Sequence, residues 1–491
     1  MPKQLDVWLL GERIGTLMQV DGRLNFVYLP EWLAQVATDA AQVGAVSGAS
    51  MGSSKSPLSQ SLPLRAEPFD DRATRPFFAG LLPEGDKRRL VAQALQASRQ
   101  NDFALLDGIG GECAGAVTLL EPGQSVIPPV TPPHTSASTE PADSVRWLDE
   151  PALLQLIDEM PQRPMLAGHE GLRLSLAGAQ DKLPVVVANR HTLAGANTGQ
   201  GDAIGLPLYG TPSTHILKPA IAGVDGSVFN EAFCMTLAAA LKLSVAPVAI
   251  RQVADRPVLL VQRYDRLALA APPQAAPGSS SAAAAAAPTR LHQEDFCQAL
   301  GVVPEHKYQN EGGPDLALAF ELLRRATRPS APQILKLLDA VVFNALTGNH
   351  DAHGKNFSLL YGPQGAVLAP LYDLLCTAVY PQLTDKMAMK IGGKYRFSEL
   401  MAHHWAQFAR SAGLSPAQVR RRILEIARGL PDLARQTQAR MHAQGHGHSV
   451  LAAIVTLITQ RCALTVTRLT APSAGADANR DVGGDTSPDP A

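Results

Sequence analysis

The sequence predicts an α+β fold in which a strand-rich part precedes a helix-rich part, and three observations predict it. In the first half, short apolar runs with period-two alternation recur between turn residues. From Arg290 to Leu469, apolar residues fall instead at helical spacing, as at Ile334, Leu337, Leu338, Val341, Val342 and Ala345. Tracts of Pro, Ser, Thr, Ala and Gly punctuate the chain between these patterns and have too few large apolar residues to pack.

In chain order, Val7–Leu10 and Glu12–Leu17 read as a hairpin turning on Gly11-Glu12, and Leu24–Leu29 as a third strand. The Gly/Ser/Ala-rich residues 37–60 read as a mobile insertion. A helical region runs from Arg75 through Ala97 and another starts at Phe103, completing an N-terminal unit over residues 1–120. Residues 121–145 read as a linker, since Pro, Ser, Thr, Val and Ala alone cannot repay the entropy of ordering. In a second unit, 146–289, Leu172–Val187, Thr214–Lys218 and Val258–Gln262 read as strands. Asn230–Leu243 reads as a helix with Asn230 at its N-cap and Glu231 at its positive end. Insertions over 190–212 and 267–288 interrupt this unit. Residues 290–470 form the helical part, and 471–491 a disordered tail. No repeat of 20–50 residues is visible.

The totals restrict function. At 491 residues the chain holds two or three compact units, and 43 basic against 44 acidic side chains leave a net charge of −1, so no global field draws it onto nucleic acid or lipid. Five scattered cysteines without a CxxC pair suggest neither disulfides nor a zinc knuckle, which suits a reducing cytoplasm. The N-terminus lacks the apolar core of a signal peptide. The apolar run Val450–Val466, interrupted by Gln460 and Arg461, falls short of a span of ~20 residues and reads as a buried or half-buried helix, so no membrane association is expected.

The densest chemistry lies in Asn349-His350-Asp351-Ala352-His353-Gly354-Lys355-Asn356, followed by Tyr372-Asp373. Phosphoryl transfer from a nucleotide needs a base for the acceptor hydroxyl, oxygen ligands for Mg²⁺, a lysine on the phosphates and a loop to cover them. Asp351 supplies the base, Asn356 and Asp373 the magnesium ligands, and Lys355 a charge for the developing phosphoryl oxygens. Lys218 ends an apolar strand, where an ammonium calls for an anionic partner, and Glu231 is placed to orient it. Ala177-Gly178-Ala179, with Gln180 and Lys182, offers close-approaching backbone for phosphate. Gln262, Arg263 and Tyr264 end the strand-rich part and are the adenine-contact candidates, and His353 belongs to the same nucleotide-facing set. This D-x-x-x-x-N logic, followed by a strand-like segment and a second Asp, is that of a protein kinase, although H-R-D, D-F-G and G-x-G-x-x-G are absent. The expected architecture is therefore a two-lobed, protein-kinase-like α+β fold with a strand-rich N-terminal part and a mostly helical C-terminal lobe.

Taken together and in order, S-x-A-G-A-Q-x-K (Ser175–Lys182), H-I-L-K-P (His215–Pro219), N-E-x-F-C (Asn230–Cys234), Q-R-Y-D-R (Gln262–Arg266), N-x-D-x-H-x-K-N (Asn349–Asn356) and P-x-Y-D (Pro370–Asp373) resemble the HipA-type serine/threonine kinase toxins of bacterial type II toxin–antitoxin modules. Phe77–Gly85 and Gly110–Val117 resemble that family's N-terminal subdomain. The resemblance implies Asp351 as catalytic base, Asn356 and Asp373 as metal ligands, Lys218 on the ATP phosphates and Ser175 as an autophosphorylation site. It implies ATP and Mg²⁺ as cofactors, a small helix-turn-helix antitoxin as partner, DNA only through that antitoxin, and a protein substrate, in some members an aminoacyl-tRNA synthetase. The family often has Glu where Gln262 stands.

Two other readings stay open on the residues alone. His350, Asp351 and His353 are also the ingredients of a metal-dependent phosphohydrolase of HD type. A non-enzymatic corepressor acting with a DNA-binding partner is the other, given a local basic run at Arg420-Arg421-Arg422. His442, His446 and His448 read as a surface helix end rather than a metal site, and His403-His404 as part of a packed helix.

Overall fold

A computed structural model describes residues 3–45, 56–126, 144–169, 171–188, 202–267, 288–362 and 364–471. Most of the expected linker, the Ala/Pro tract and the tail lie outside the described residues. The architecture is α+β. β1 (Lys3–Leu9), β2 (Glu12–Val20) and β3 (Arg23–Tyr28) form an antiparallel meander, followed by α1 (Pro30–Ala45), α2 (Asp71–Ala79), α3 (Gly85–Ala94), α4 (Asp102–Ile109) and β4 (Val117–Leu120). The strand order is β3-β2-β1-β4. Leu10 and Gly11, both at positive φ, make the tight turn between β1 and β2, and such turns match the twist of the strands they join. Leu5, Val7, Leu9, Phe26, Phe77 and Phe78 close the core beneath the sheet.

Both ends of the stretch 37–60, expected to be mobile, are ordered instead. Residues 46–55 lie outside the described set, but α1 runs to Ala45, and Leu58, Ser59 and Leu62 are fully buried. Tyr28 explains this: its hydroxyl donates to Leu62 O (2.6 Å) and accepts from Leu58 N (2.9 Å), so the end of the low-complexity tract is fastened to the sheet.

The second sheet comprises β5 (Val145–Leu148), β6 (Leu183–Ala188), β7 (Ala203–Pro207), β8 (His215–Pro219), β9 (Val248–Val253) and β10 (Arg256–Gln262), with α5 (Glu150–Glu159) and α6 (Ser227–Ala240) as its helices. Its order is β5-β7-β6-β8-β10-β9, with every pair antiparallel. Part of the expected 190–212 insertion is thus strand β7. Residues 172–182, read as strand, instead form an irregular loop before β6. Along β10, Val258 and Leu260 pack on the α5 side while Leu259 and Val261 pack on the α6 side, so both faces are covered. By the same alternation β8 sends Leu217 to the α5 side and Lys218 to the α6 side. Asn230 is not the cap of α6; Gly226 is, in the left-handed conformation. Asn230 lies inside the first turn, where its amide accepts from Cys376 N (2.8 Å) and donates to Cys376 O (3.0 Å).

β11 (Arg266–Leu267) and β12 (Thr289–Arg290) pair where the chain crosses into the last part. There follow β13 (His292–Asp295), α7 (Phe296–Leu300), α8 (Leu316–Ala326), α9 (Ser330–Thr347), β14 (Ser358–Gly362), β15 (Gly365–Leu368), β16 (Lys386–Ile391), β17 (Lys394–Arg396), α10 (Ala402–Ser411), α11 (Pro416–Ala443) and α12 (Ser449–Thr470). The strands β13-β14-β15 and β16-β17 interrupt a stretch read as mostly helical; β14 and β15 fall in the strand-like segment expected between Asn356 and Tyr372, and the others were not expected. Helix α12 has 22 residues and is long and apolar enough to cross a membrane, longer than the sequence pattern suggested. Here Val450, Leu451, Ile454, Ile458, Cys462, Thr465 and Leu469 form a buried stripe on it. Arg461 lies over the Phe397 ring at 4.4 Å and donates to Ala345 O at the end of α9 (2.8 Å).

The three parts meet at Glu112. Its buried carboxylate accepts from Arg263 (3.0 Å), Arg266 (2.8 Å), the Ser213 hydroxyl (3.0 Å) and Arg290. Asp265 shares Arg263 (2.7 Å) and Arg266 (3.0 Å) and accepts from Gly115 N (2.6 Å). Burial opposes the charge on Glu112, but Arg266, Arg290 and Arg263 outweigh it and hold the carboxyl down at about 2.

Candidate functional site

Because β8 directs Lys218 toward α6, its ammonium meets Glu231 one turn into that helix (2.6 Å). It also meets Asp373 at the end of the segment following β15 (2.7 Å). Burial works against the charge of Lys218, but the Asp373 and Glu231 carboxylates outweigh it and raise its pKa. Asp373, opposed by burial and favoured by Lys218 and Lys182, is held well below the usual carboxylate range and is ionised. It stands at φ +58, the left-handed region where Asp is tolerated far better than branched residues. The turn thus aims its second oxygen at Asn356 Nδ2, 3.2 Å away.

Gly348, at φ +79, caps α9 and turns the chain into the 349–356 loop; a Cβ there would lie 2.8 Å from Ala378 Cβ. Asn349 accepts from the Asp351 backbone N–H (3.1 Å), shaping the first turn. Asp351 itself is exposed, and crowding by protein pushes its carboxyl above the usual range. Asn356 Oδ1 accepts from His353 N (3.1 Å), closing a small ring that fixes the amide. That oxygen keeps a second lone pair, and with the ionised Asp373 it makes the hard-oxygen donor set Mg²⁺ takes. Among the described residues no group of three or more His, Cys, Asp or Glu side chains gathers as a metal site.

Two members of the loop take other partners than expected. Lys355 does not point at Asp373: its buried ammonium donates to Gly80 O (3.0 Å) and pairs with Asp295 (3.0 Å) and Glu84 (3.6 Å), tying the loop to α7 and the N-terminal part. His350 bonds Thr384 O through Nδ1 (3.0 Å) and Arg461 through Nε2 (3.0 Å). Both its nitrogens are occupied, which removes the ligand that the phosphohydrolase reading requires. His353 is buried against Tyr308, edge to face at 5.1 Å, and burial with the nearby Lys307 charge depresses its pKa to about 3.

In the 175–182 loop, Gly178 sits at φ +111, and its carbonyl accepts from Glu84 N (3.1 Å). A Cβ on Gly178 would come within 2.6 Å of Lys182 Nζ. Lys182 donates to Ala177 O (2.7 Å), and burial plus the charge of Lys218 lower its pKa to about 8, so it lies in the same field as Lys218 and Asp373. Ala179 and Gln180 continue this loop, and Asp181 turns to Lys87 (2.6 Å). Ser175 is fully buried: its hydroxyl donates to Leu81 O (2.7 Å) and its N–H to Glu112 O (2.9 Å). In this conformation no phosphate donor reaches it.

At the expected adenine contact, the backbone N–H groups of Gln262 and Arg263 are already bonded to Pro247 O (2.8 Å) and Thr214 O (2.9 Å). The Arg263 guanidinium is committed to Glu112, Asp265, Ser213 and Cys113 O, so Arg263 serves the buried ion network and has no donor for a base. Tyr264 stacks on Tyr372 at 5.6 Å and donates to Gln293, while the Gln262 side chain is exposed.

Sequence reasoning missed Glu84, Asp295, Lys307 and Tyr308. Lys307 pairs with Glu84 (2.7 Å), and the Tyr308 hydroxyl donates to Asp351 Oδ1 (2.7 Å). These residues come from segments far apart in the chain; the local signals were the Phe77–Gly85 motif around Glu84 and the glycine pair Gly312-Gly313 closing the Tyr308 turn.

Comparison with known proteins gives the family. Residues 174–434 match the model of the HipA-like C-terminal domain, and 45–120 that of the HipA N-terminal domain. Y4mE of Sinorhizobium fredii is 46% identical over 423 residues, which cover 86% of this chain and 89% of that protein. The serine/threonine-protein kinase toxin HipA of Shewanella oneidensis is 28% identical over 386 residues, 76% of this chain and 79% of that one. The solved complex of Shewanella oneidensis HipA, HipB and operator DNA contains a chain that superposes with a TM-score of 0.69 at 25% identity, covering 95% of this chain and 98% of that one. With its C-terminal family match spanning more than half of its length and its N-terminal match preceding it, the chain belongs to the HipA family.

Proposed function

We propose that this protein is a serine/threonine protein kinase that transfers the γ-phosphoryl group of ATP to a protein hydroxyl and acts in the cytoplasm as the toxin of a HipBA-like module. The observation that carries the reading is the bridge of Lys218 between Glu231 and Asp373, with Asn356 against the other Asp373 oxygen. It joins a phosphate-binding lysine, the helix glutamate that orients it and an acidic metal ligand. In this reading β5–β10 with α6 form one lobe, the helices from α7 onward the other, and residues 1–120 an added N-terminal unit.

When bound, Mg²⁺ neutralises charge on the ATP phosphates. Asp373 and the free lone pair of Asn356 would hold it, Lys218 and Lys182 would take phosphate oxygens, and Ala177-Gly178-Ala179 would cover them. The Tyr264–Tyr372 stack flanks the base in place of Arg263. Asp351 accepts the proton of the attacking hydroxyl, its raised pKa bringing it nearer to a working base. Lys355 acts by holding the loop. Autophosphorylation of Ser175 requires the segment to leave Leu81 and Glu112, after which a phosphate of about −1.5 to −2 charge keeps it out.

A small helix-turn-helix antitoxin is the partner this reading implies, with DNA reached through it; HipA of Shewanella oneidensis forms a complex with HipB and its operator DNA. The test is incubation of purified protein with γ-labelled ATP and Mg²⁺. Labelling of protein, abolished by Asp351→Asn, is expected. Release of free phosphate with no labelled protein would restore the hydrolase reading, and growth arrest insensitive to Asp351→Asn the corepressor reading.

A further inference from the structure

The candidate base carries a partner to which no role has been given. We infer that Tyr308 is a positioning residue for Asp351: its hydroxyl fixes one carboxylate oxygen so that the other faces the acceptor hydroxyl. The inference deepens the kinase reading and rests on it. The bond runs from Tyr308 O–H to Asp351 Oδ1 at 2.7 Å. Asp351 is exposed, and its backbone is fixed by Asn349 at 3.1 Å, yet nothing else described holds the carboxylate itself. An exposed Asp otherwise samples several rotamers, and a general base must be held in one.

Tyr308 is built to stay in place. Its carbonyl accepts from Gly313 N (2.9 Å), and any Cβ at Gly313 would lie 2.3 Å from His306 O, so the turn closes only around glycine. Its neighbour Gln309 accepts from Lys390 N (2.7 Å), and Lys307 O accepts from Gly354 N (3.3 Å), joining the turn to β16 and to the 349–356 loop. The ring packs edge to face on His353 at 5.1 Å, with the Lys307 ammonium 5.3 Å from its centre. Ring packing and hydroxyl are separable functions: a phenylalanine keeps the first and lacks the second.

In the transfer step the acceptor oxygen bonds to the γ-phosphorus as the bond to the β–γ bridging oxygen breaks and ADP leaves. The acceptor proton passes to the unbonded oxygen of Asp351 and from there to solvent. The Tyr308 proton stays on the phenol, which crowding and the adjacent Asp351 charge hold above its ordinary pKa.

The test compares full-length wild type, Tyr308→Phe, Asp351→Asn and the double variant for labelling of self and of dephosphorylated casein from γ-labelled ATP, with KM for ATP and melting temperature measured alongside. The inference expects Tyr308→Phe to lower kcat roughly tenfold with KM for ATP within about twofold and an unchanged melting temperature. In the Asp351→Asn background, removing the hydroxyl should change the residual rate by less than about twofold, since the two act as a unit. A Tyr308→Phe kcat within about twofold of wild type overturns the inference while leaving the kinase reading intact, as does a loss expressed only in KM or a multiplicative effect in the double variant. Absence of any labelling by wild type overturns both.

Discussion

Lys355 and Asp295 form a buried ion pair at 3.0 Å that ties the 349–356 loop to the cap of α7. Burial opposes the Lys355 charge, but Asp295 and Glu84 outweigh it and raise its pKa, so the lysine remains charged throughout the working pH range. Lys355→Met leaves the buried Asp295 carboxylate without its cation, while Glu84 keeps Lys307 (2.7 Å), and should destabilise the fold by about 3–5 kcal/mol, read from urea denaturation. Asp295→Asn should cost a similar amount, and the double variant less than the sum, because each single change strands the other's charge.

Lys218 is as buried as Lys355 and bridges two carboxylates, so its replacement should be felt in fold as well as in chemistry. Lys218→Met should lower phosphoryl transfer by about 10²–10³, the magnitude typical of losing one preorganised electrostatic contact. Glu231→Gln keeps a hydrogen-bond acceptor for the ammonium and should cost markedly less. Equal loss in both variants in a radiolabel assay would show that the glutamate charge, not its acceptor oxygen, is what Lys218 needs.

Ser175→Ala removes a buried hydroxyl from Leu81 O and should cost about 1–3 kcal/mol while leaving a closed loop. Ser175→Asp buries a charge with no cation provided and should drive the segment out. The check is limited proteolysis: new cleavage within residues 171–182 in the Asp variant, absent from wild type and the Ala variant.

His292 is buried, stacked on Tyr361 at 5.2 Å and bonded through Nε2 to Leu58 O (2.8 Å), and burial depresses its pKa to about 4. The folded state favours the neutral ring, so the unfolded chain takes up the proton first as pH falls. Its contribution is therefore complete above pH ~6.5 and is lost as pH falls from there toward about 4, amounting to about 3 kcal/mol. His292→Gln should flatten that part of the stability–pH curve relative to wild type, measured by denaturant titrations at pH 7, 5.5 and 4.5.

What the sequence made legible was chemistry carried by neighbours in the chain. Lys218 and Glu231 are thirteen residues apart on a strand and the helix after it, and period-two alternation on β8 suffices to bring them together. What stayed hidden depended on partners across the fold. Lys355 looks identical in sequence whether it faces a phosphate or Gly80 O, 275 residues away. Ser175 reads as a loop hydroxyl until Leu81 covers it, and Arg263 as a hinge residue until Glu112, 151 residues earlier, claims its guanidinium. The strands β13, β16 and β17 were missed because they are short and set among strongly periodic helices, whose signal dominates any window that includes them, and because β13 finds its partner β14 only beyond α7, α8 and α9.

The carboxylate of Glu112 has a consequence for how the chain is made. Ribosomal synthesis delivers Glu112 long before Arg263, Arg266 and Arg290, which follow it by 151, 154 and 178 residues. Until the last of these emerges, the nascent N-terminal unit holds an acidic group that must remain hydrated or protonated, and the segment bearing Ser175, which hangs on the Glu112 carbonyl, has no finished seat. Completion of the 175–182 loop is thereby coupled to the arrival of residue 290, so a chain interrupted earlier emerges without its full set of contacts around Glu112.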